Sequence, residues 1–285
     1  MLRDGRAPRG PKLRVLRHAE PTPLPRALAR TSPNPPIEAR ARVVVSIVSH
    51  GHRDAVLALL RDLARHARHS VARVVLTLNV AEPGLETAAA GACAGLPLTV
   101  LRNDRPHSFG ANHNAAFAKA QAYAGAHFAV LNPDVRLRAD PFPALCAALA
   151  RDPRAGCAYP EQLDAGGQPC NPPRPVPTPV NLLRRYVAGG EQAQRAEWVN
   201  AAFAVFRAST YQALGGFDPG YRLYCEDVDL CLRLQLGGWH LARAACAVQH
   251  AGSRASRDSA RHLYWHVRSL LTLWASDALK RWRAR

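Results

Sequence analysis

Acidic side chains gather at two places in this chain whose surroundings suit chemistry. The first is Asn132-Pro133-Asp134, which directly follows the apolar run Phe128–Leu131. A carboxylate at the end of a buried strand faces a crevice where a divalent cation can bridge it to a diphosphate. Mg²⁺ and Mn²⁺ suit that role, because they take oxygen ligands and often use one or two protein carboxylates beside phosphate oxygens. The same tripeptide is also good turn chemistry. The second place is Gly215-Gly216-Phe217-Asp218 with Tyr224-Cys225-Glu226-Asp227-Val228-Asp229. A helix dipole favours acids in the first turn, which accounts for one or two of them. It accounts poorly for four (Asp218, Glu226, Asp227 and Asp229) flanked by Gly, Phe and Tyr. A carboxylate at a helix start in a cleft can act as a general base.

Two further segments carry polar groups of the right kind. His250 closes the β-like run Ala244–Gln249. It reads either as a structural histidine or, beside a carboxylate and a diphosphate, as an imidazole metal ligand. Phe109-Gly110-Ala111-Asn112-His113-Asn114 leads into a helical pattern. Asn112 suits an N-cap, and amides at a helix N-terminus also suit a phosphate or ribose.

The elements that must hold these groups follow from hydropathy. Val43–Val48 is a continuous apolar run, as expected of a strand covered on both faces. Asp54–His66 places Val56, Leu57, Leu60 and Leu63 at helical spacing. Strands are expected at 73–78, 98–101 and 128–131, with a helix from about Asn112 to Tyr123. Strands alternating with helices predict an α/β fold with a doubly wound, mostly parallel central sheet. Ligands bind such sheets at the carboxyl ends of the strands. Ser49, Asn79, Asp104 and Asp134 each follow a strand and are expected to converge there.

The C-terminal half reads as more mixed. A helix at 144–150 and a strand at 157–159 precede Pro169–Pro179, which holds six prolines and reads as a loop. Trp198–Phe206 is β-like, and helices are expected at 208–214 and 226–236, each ended by a Gly pair. From about Ser259 the chain is amphipathic, with Leu263, Val267, Leu270, Leu271, Trp274, Ala278 and Trp282 on one stripe beside several arginines. That stripe suits packing on the domain or lying on a membrane surface.

Composition sets the outer bounds. The net charge of +17 is concentrated at the ends: residues 1–42 carry +7, residues 251–285 carry +6, and the segment between carries only +4. Basic tails on a near-balanced body point to attraction by anionic lipid or another polyanion. They lack the aromatic interleaving of a nucleic-acid groove, so nucleic acid is not the expected partner. Residues 1–42 also hold eight prolines and no periodicity, which reads as a disordered tail. No stretch of about 18 apolar residues appears, and no signal-peptide pattern is evident. The seven cysteines form no zinc-like spacing and read as reduced thiols in a reducing compartment.

Taken in order, VVVSIVSHGH (43–52), FGANHNAAF (109–117), VLNPDV (130–135), VNAAF (199–203), GGFDPGYRLYCEDVDLCLRLQLGGW (215–239) and VQHAGS (248–253) resemble family 2 glycosyltransferases with a GT-A fold, rhamnosyltransferase-like members in particular. The resemblance covers about residues 43–255 and leaves 256–285 as an appended amphipathic helix. It implies that Asp134 is the metal-binding acid of the DXD element, here in an NPD form with Asn132 first. It also implies that Asp227 is the catalytic base with Glu226 its companion, and that His250 is a metal ligand. Ser49, His50, Asn79 and Asn112 would then face the nucleotide, and Val199–Ala201 would line the sugar and acceptor site.

There are two departures. Many relatives carry Asp-Asn after the second strand where this chain has Thr77-Leu78-Asn79, and Asn200-Ala201 stands where a glycine is frequent. The implied activity is inverting, Mg²⁺- or Mn²⁺-dependent transfer from a nucleotide-diphosphate sugar, with dTDP-rhamnose a family-level expectation, to a saccharide or lipid-linked acceptor in cell-surface polysaccharide synthesis. Cytoplasmic placement, with peripheral contact to the anionic inner face of a membrane, is the matching expectation. A nucleotidyltransferase would also use such a sheet and metal-binding acids, but Ser49-His50-Gly51-His52 is not its glycine-rich phosphate loop. A non-catalytic nucleotide-sugar or nucleic-acid binding module is the alternative from another class.

Overall fold

In the computed structural model, which describes residues 42–121, 127–188, 196–250 and 260–285, the apolar runs become a parallel sheet. The first half alternates β1 (Val43–Ser49), α1 (Arg53–His66), β2 (Val71–Leu78), α2 (Leu85–Cys93), β3 (Leu98–Arg102), α3 (Phe109–Ala120) and β4 (His127–Leu131). β1 pairs in parallel with both β2 and β4, and β2 with β3. The continuous apolar run in β1 has a simple cause. Val43, Val45 and Ile47 join one core with Val56, Leu60 and Leu63 of α1, while Val44 joins Phe117, Phe128 and Tyr211 on the other face. Helices cover both sides, so both sets of side chains are buried.

The second half completes a mixed sheet. It adds β5 (Val135–Arg136), α4 (Phe142–Arg151), β6 (Ala155–Leu163), β7 (Pro169–Cys170), α5 (Pro179–Ala188), β8 (Phe203–Arg207), α6 (Ala208–Ala213), α7 (Glu226–Leu236), β9 (His240–His250), α8 (Ala260–Ala275) and α9 (Asp277–Arg283). The strand order is β3-β2-β1-β4-β8-β6-β9-β5, with β7 on β6. β8 runs antiparallel to β4 and β6, whereas β6 and β9 are parallel.

Three local expectations change. The strand expected from Trp198 starts only at Phe203, because the preceding backbone is used elsewhere: Asn132 N–H donates to Ala202 O at 2.8 Å. The helix expected from Asn112 starts at Phe109 and is capped by Ser108, whose Oγ accepts from Ala111 N. Asn112 is therefore not the cap. The C-terminal helix is two helices, because Ser276 leaves helical geometry and its side chain caps α9 by accepting from Leu279 N.

The expected C-terminal stripe accordingly divides. Leu273, Ala278 and Leu279 are buried with Val176, Tyr221, Val228 and Leu232, and Leu270, Trp274 and Trp282 pack against them. Trp274 Nε1 donates to Pro177 O at 2.8 Å and Ser269 Oγ to Leu223 O at 2.8 Å. Leu263, Val267 and Leu271 face outward, 54%, 48% and 57% exposed. No helix among the described residues is long and apolar enough to cross a membrane. Cys93, Cys157, Cys225 and Cys231 are buried free thiols.

Candidate active site

The sheet register brings Asp134 and His250 together. Val135 of the two-residue strand β5 sits opposite His250, the last residue of β9, so the residue before Val135 falls beside the imidazole. His250 Nε2 lies 3.3 Å from Asp134 Oδ2. The far side of the ring is held by amides: His250 Nδ1 is 2.9 Å from Gln162 Oε1 and 3.1 Å from Asn171 Nδ2. Gln162 Oε1 also lies within reach of Asn200 Nδ2 and Asn171 Nδ2. As an acceptor flanked by amide donors, it fixes the tautomer in which Nδ1–H donates to it. Nε2 is thereby turned to Asp134 Oδ2, donating to the carboxylate when it carries a proton and offering its lone pair to a cation when it does not. Burial pushes the Asp134 carboxyl up, but the hydrogen bond and charge of His250, its own backbone N–H and His52 outweigh that and hold it below its ordinary value.

The donor set fits a hard divalent cation at partial occupancy of its ligand sphere. One carboxylate and one imidazole converge, and the Asp134 side chain is 33% exposed, which leaves room for phosphate oxygens and water. No group of three or more His, Cys, Asp or Glu able to hold a metal occurs among the described residues. The remaining ligands would therefore come from substrate and solvent, as is usual for Mg²⁺ beside a diphosphate.

The acidic pair stands at the start of α7, entered through two non-glycine residues with left-handed backbone, Tyr224 (φ 73°) and Cys225 (φ 62°). Such backbone costs of order 1–3 kcal/mol per residue and survives where surrounding contacts impose it. Here Tyr224 Oη is 2.9 Å from His262 Nδ1 of α8, and Cys225 is buried against α9. The turn sets Glu226 inward, 6% exposed with Oε2 unpartnered among the described residues, and leaves Asp227 half-buried. Burial raises the Glu226 carboxyl, and the charge of Asp227 raises it further. Burial also raises Asp227, but the backbone N–H groups of Val228, of Asp227 itself and of Ala201, together with the Arg174 charge, pull it back. Burial and mutual repulsion therefore disfavour two charges on the pair, and the backbone donors favour placing the one charge on Asp227.

The other two acids have structural employment. Asp229 accepts from Arg233 Nε at 2.7 Å, and the same guanidinium donates to Leu214 O and Gly216 O. Asp218 turns the loop by accepting from Gly220 N.

The Ala201 contact joins the two centres. The segment 200–202 touches Asp227 through the Ala201 N–H, the end of β4 through Ala202 O, and Gln162 through Asn200. Arg174 extends the link, since its guanidinium donates to Asn171 Oδ1 at 3.2 Å and lies 5.6 Å from the Trp198 ring. Asn114 holds the approach to α7: its Oδ1 accepts from Phe217 N and Tyr211 Oη, and its Nδ2 donates to Phe217 O.

Around β1 and β2 the expected residues are present, but their side chains are engaged. Ser49 is fully buried and donates from Oγ to Glu82 Oε1 at 2.6 Å. Asn79 is bonded to Asn103, His107 and His50. Asn112 is 2% exposed and accepts from Asn103 Nδ2 at 2.6 Å. His50 is exposed, and burial of its ring lowers its pKa, with His52 adding to the effect. Its Nδ1 accepts from the Asn79 amide, so the neutral ring presents Nε2–H outward. Asn132 is half-buried and its carbonyl closes the turn to Val135 N at 3.2 Å. Asp104 is exposed beyond β3.

Sequence reasoning missed Gln162, Asn171, Arg174, Asn114 and Glu82. Asn171 and Arg174 sit in the proline-rich segment, whose β7 pairing with Gln162 and Leu163 folds it over the site. Asn114 was within reach, because it stands in the FGANHN stretch.

No protein-family model matches the chain. It is 30% identical over 174 residues, 54% of its length, to an N-acetylglucosaminyl-diphospho-decaprenol L-rhamnosyltransferase of Mycobacterium tuberculosis (strain CDC 1551 / Oshkosh). It is 37% identical over 75 residues, 26% of its length, to rhamnosyltransferase WbbL of Escherichia coli (strain K12). The matched segments span 57% and 28% of those two relatives. Among solved structures, it is similar to a Pyrobaculum calidifontis mannosyltransferase in complex with GDP-Man and Mn²⁺, with TM-score 0.54 and 18% identity over 76% of this chain and 59% of that one. It is also similar to S. aureus TarS, with TM-score 0.56 and 11% identity over 74% of this chain and 37% of that one. At these identities the structural matches show a shared fold.

Proposed function

We propose that this chain, which has the fold of the GT-A glycosyltransferases and resembles rhamnosyltransferases in sequence, transfers a sugar from a nucleotide-diphosphate donor to an acceptor hydroxyl with inversion at the anomeric carbon. The observation that carries the reading is the Asp134–His250 pair, linked through the 200–202 segment to a half-buried Asp227 that stands beside the buried Glu226. Two acids with separated proton affinities at the carboxyl ends of one sheet suit cation binding and proton removal as distinct tasks.

Asp134 and His250 would hold Mg²⁺ or Mn²⁺, which when bound neutralises charge building on the departing diphosphate. Asp227 accepts the acceptor hydroxyl's proton as its oxygen attacks the anomeric carbon from the face opposite the diphosphate. Base assistance of this kind is worth about 10²–10⁴ in rate. The backbone N–H groups of Val228, Asp227 itself and Ala201, with the Arg174 charge behind them, favour a charge on Asp227, and the repulsion between the two acids disfavours a second one on Glu226. The acceptor is a saccharide, and the first relative's name supports a lipid-linked one used in cell-surface polysaccharide synthesis.

A lipid-linked acceptor also gives a place to the outward apolar side chains. Leu263, Tyr264, Val267 and Leu271 of α8 are exposed on a helix without a single acid, as are Val180 and Leu183 of α5. That composition supports cytoplasmic, peripheral contact with an anionic bilayer. A panel of nucleotide sugars, scored for nucleotide release with and without Mn²⁺ or Mg²⁺ and for the anomer of the product, tests the whole reading. Release unaffected by chelation, or a retained anomer, would overturn it.

A further inference from the structure

One face of α8 carries positive charge that the fold leaves unanswered. Trp265, Arg268, Ser269 and Thr272 of this helix line a cleft of about 170 Å³ with Gly220 and Arg222 of the loop before α7. Its walls are fixed, since Ser269 Oγ donates to Leu223 O at 2.8 Å and Phe109 N to Arg222 O at 3.4 Å. The Arg222 and Arg261 guanidiniums lie 4.9 and 5.0 Å from the centre of the Trp265 ring. The ring attracts each of them and so keeps two mutually repelling cations at most about 10 Å apart. Among the described residues, none of Arg222, Arg261 and Arg268 has a carboxylate within ion-pair distance or donates a side-chain hydrogen bond. The acid of the same loop, Asp218, is turned to Gly220 N.

The surroundings of this cleft narrow what it serves. At about 100° per residue, α8 shows three faces in turn. Ser269, Leu270 and Leu273 pack on the domain, Arg261, Trp265 and Arg268 form the basic face, and Tyr264, Val267 and Leu271 form an exposed apolar one. Tyr264 lies only about 40° round the helix from Arg268, so the apolar face begins beside the guanidiniums. A ligand that uses both faces has an anionic head joined to an apolar chain. A nucleotide has no such chain, and a nucleic acid calls for basic groups along a groove rather than around one ring. The cleft also lies close to the chemistry. Arg222 stands five residues before Asp227, at most about 18 Å from it, which leaves room for a sugar between them. Burial and His52 lower the His50 pKa, and the charges of Arg222 and Arg261 add to the effect, so the cluster also adjoins the end of β1.

We propose that Arg222, Arg261 and Arg268, gathered by Trp265, bind the diphosphate of a lipid-linked acceptor whose chain runs out over Tyr264, Val267 and Leu271. This rests on the sugar-transfer reading above and gives the acceptor's head and chain separate places. Guanidinium forks take phosphate oxygens in pairs, and the anion relieves the repulsion among the three cations. With the head held in the cleft, the attached sugar reaches toward Asp227 while the lipid stays outside.

The test is calorimetric titration of the full chain with farnesyl diphosphate below its micelle concentration, and with inorganic diphosphate and farnesol as its separate halves. UDP, GDP and dTDP are titrated in parallel with Mn²⁺ present. Wild type is compared with Arg222→Gln/Arg268→Gln, which removes charge, and with Arg222→Lys/Arg268→Lys, which keeps charge but not the fork. Wild type is expected to bind farnesyl diphosphate at least about tenfold more tightly than either half. The glutamine pair is expected to lose that affinity by at least about tenfold while nucleotide affinity stays within about twofold, which also shows that the variant is folded. The lysine pair is expected to lose farnesyl diphosphate as well, yet to float with phosphatidylglycerol vesicles as wild type does. Farnesyl diphosphate bound no better than inorganic diphosphate, or bound equally by the glutamine pair, overturns the proposal. Full affinity in the lysine pair also overturns it and makes the cluster a diffuse surface for bilayer headgroups. Loss of nucleotide affinity in its place overturns it too and gives the arginines to the donor. Wild type that binds farnesyl diphosphate through these arginines but none of the three nucleotides supports the lipid site and sinks the sugar-transfer reading.

Discussion

Replacing Glu226 by Gln changes how stability responds to pH, and by an amount that follows from the site. Glu226 is 6% exposed, its Oε2 has no partner among the described residues, and the Asp227 charge stands beside it. Its folded pKa is therefore raised above the unfolded value of about 4.3. Between those two values the native state binds a proton that the unfolded state does not. The slope of unfolding free energy with pH is then negative, up to about 1.4 kcal/mol lost per pH unit. The contribution is fully present below the unfolded pKa and is lost as pH rises toward the folded one. From pH 5 to pH 7 that amounts to at most about 2–3 kcal/mol, a large share of a typical domain's stability. The amide introduced by Glu226→Gln has no proton to lose, although its NH₂, placed where Oε2 finds no partner, costs about 1 kcal/mol at every pH. Urea denaturation of both proteins from pH 5 to pH 8 separates the two effects. The variant is expected to gain on the wild type steadily with pH and to be the more stable above neutrality. A difference that stays constant over that range refutes the assignment of the proton to Glu226.

Asp227→Asn is expected to lower turnover by about 10²–10⁴ with donor affinity intact, whereas Glu226→Gln keeps most turnover at pH 7; steady-state rates paired with nucleotide binding distinguish them. Because the Asp227 pKa is raised, the acid limb of the turnover–pH profile should lie above the usual range for aspartate and vanish with Asp227→Asn. Gln162→Leu removes the acceptor of His250 Nδ1–H and is expected to weaken Mn²⁺ activation about 10–100-fold, read from activity against Mn²⁺ concentration. Leu263→Glu with Leu271→Glu places charge on the outward face of α8 and is expected to abolish flotation with anionic vesicles while leaving the thermal midpoint unchanged.

Much of this was legible in the amino-acid order, for reasons that differ by residue. The run Val43–Val48 announced a strand covered on both faces because each alternate valine has its own core. The helix 226–236 was bounded by acids at one end and glycines at the other, and its limits agree with the structure. The pairing of Asp134 with His250 came from the family likeness; its cause, the β5–β9 register, is a long-range pairing that no local pattern encodes. The cap of α3 went to Ser108 because Asn112 was needed inside, against Asn103. The amphipathic stripe near the C-terminus was visible, but Ser276 turned one helix into two and divided the stripe between core and surface. Gln162 and Glu82 gave no signal, since a lone amide or acid gains meaning only from what the fold lays beside it.

The two-residue strand β5 has a consequence for biosynthesis. It carries the chain away from β4, near the middle of the sheet, to dock on the outermost edge of β9, and β9 is not translated until most of the polypeptide has left the ribosome. A nascent chain lacking β9 holds Asp134 without its imidazole partner and so cannot assemble the paired ligands. Long-range pairings of this kind are also the slow ones to form. The proposed cation site is thereby tied to completion of the sheet.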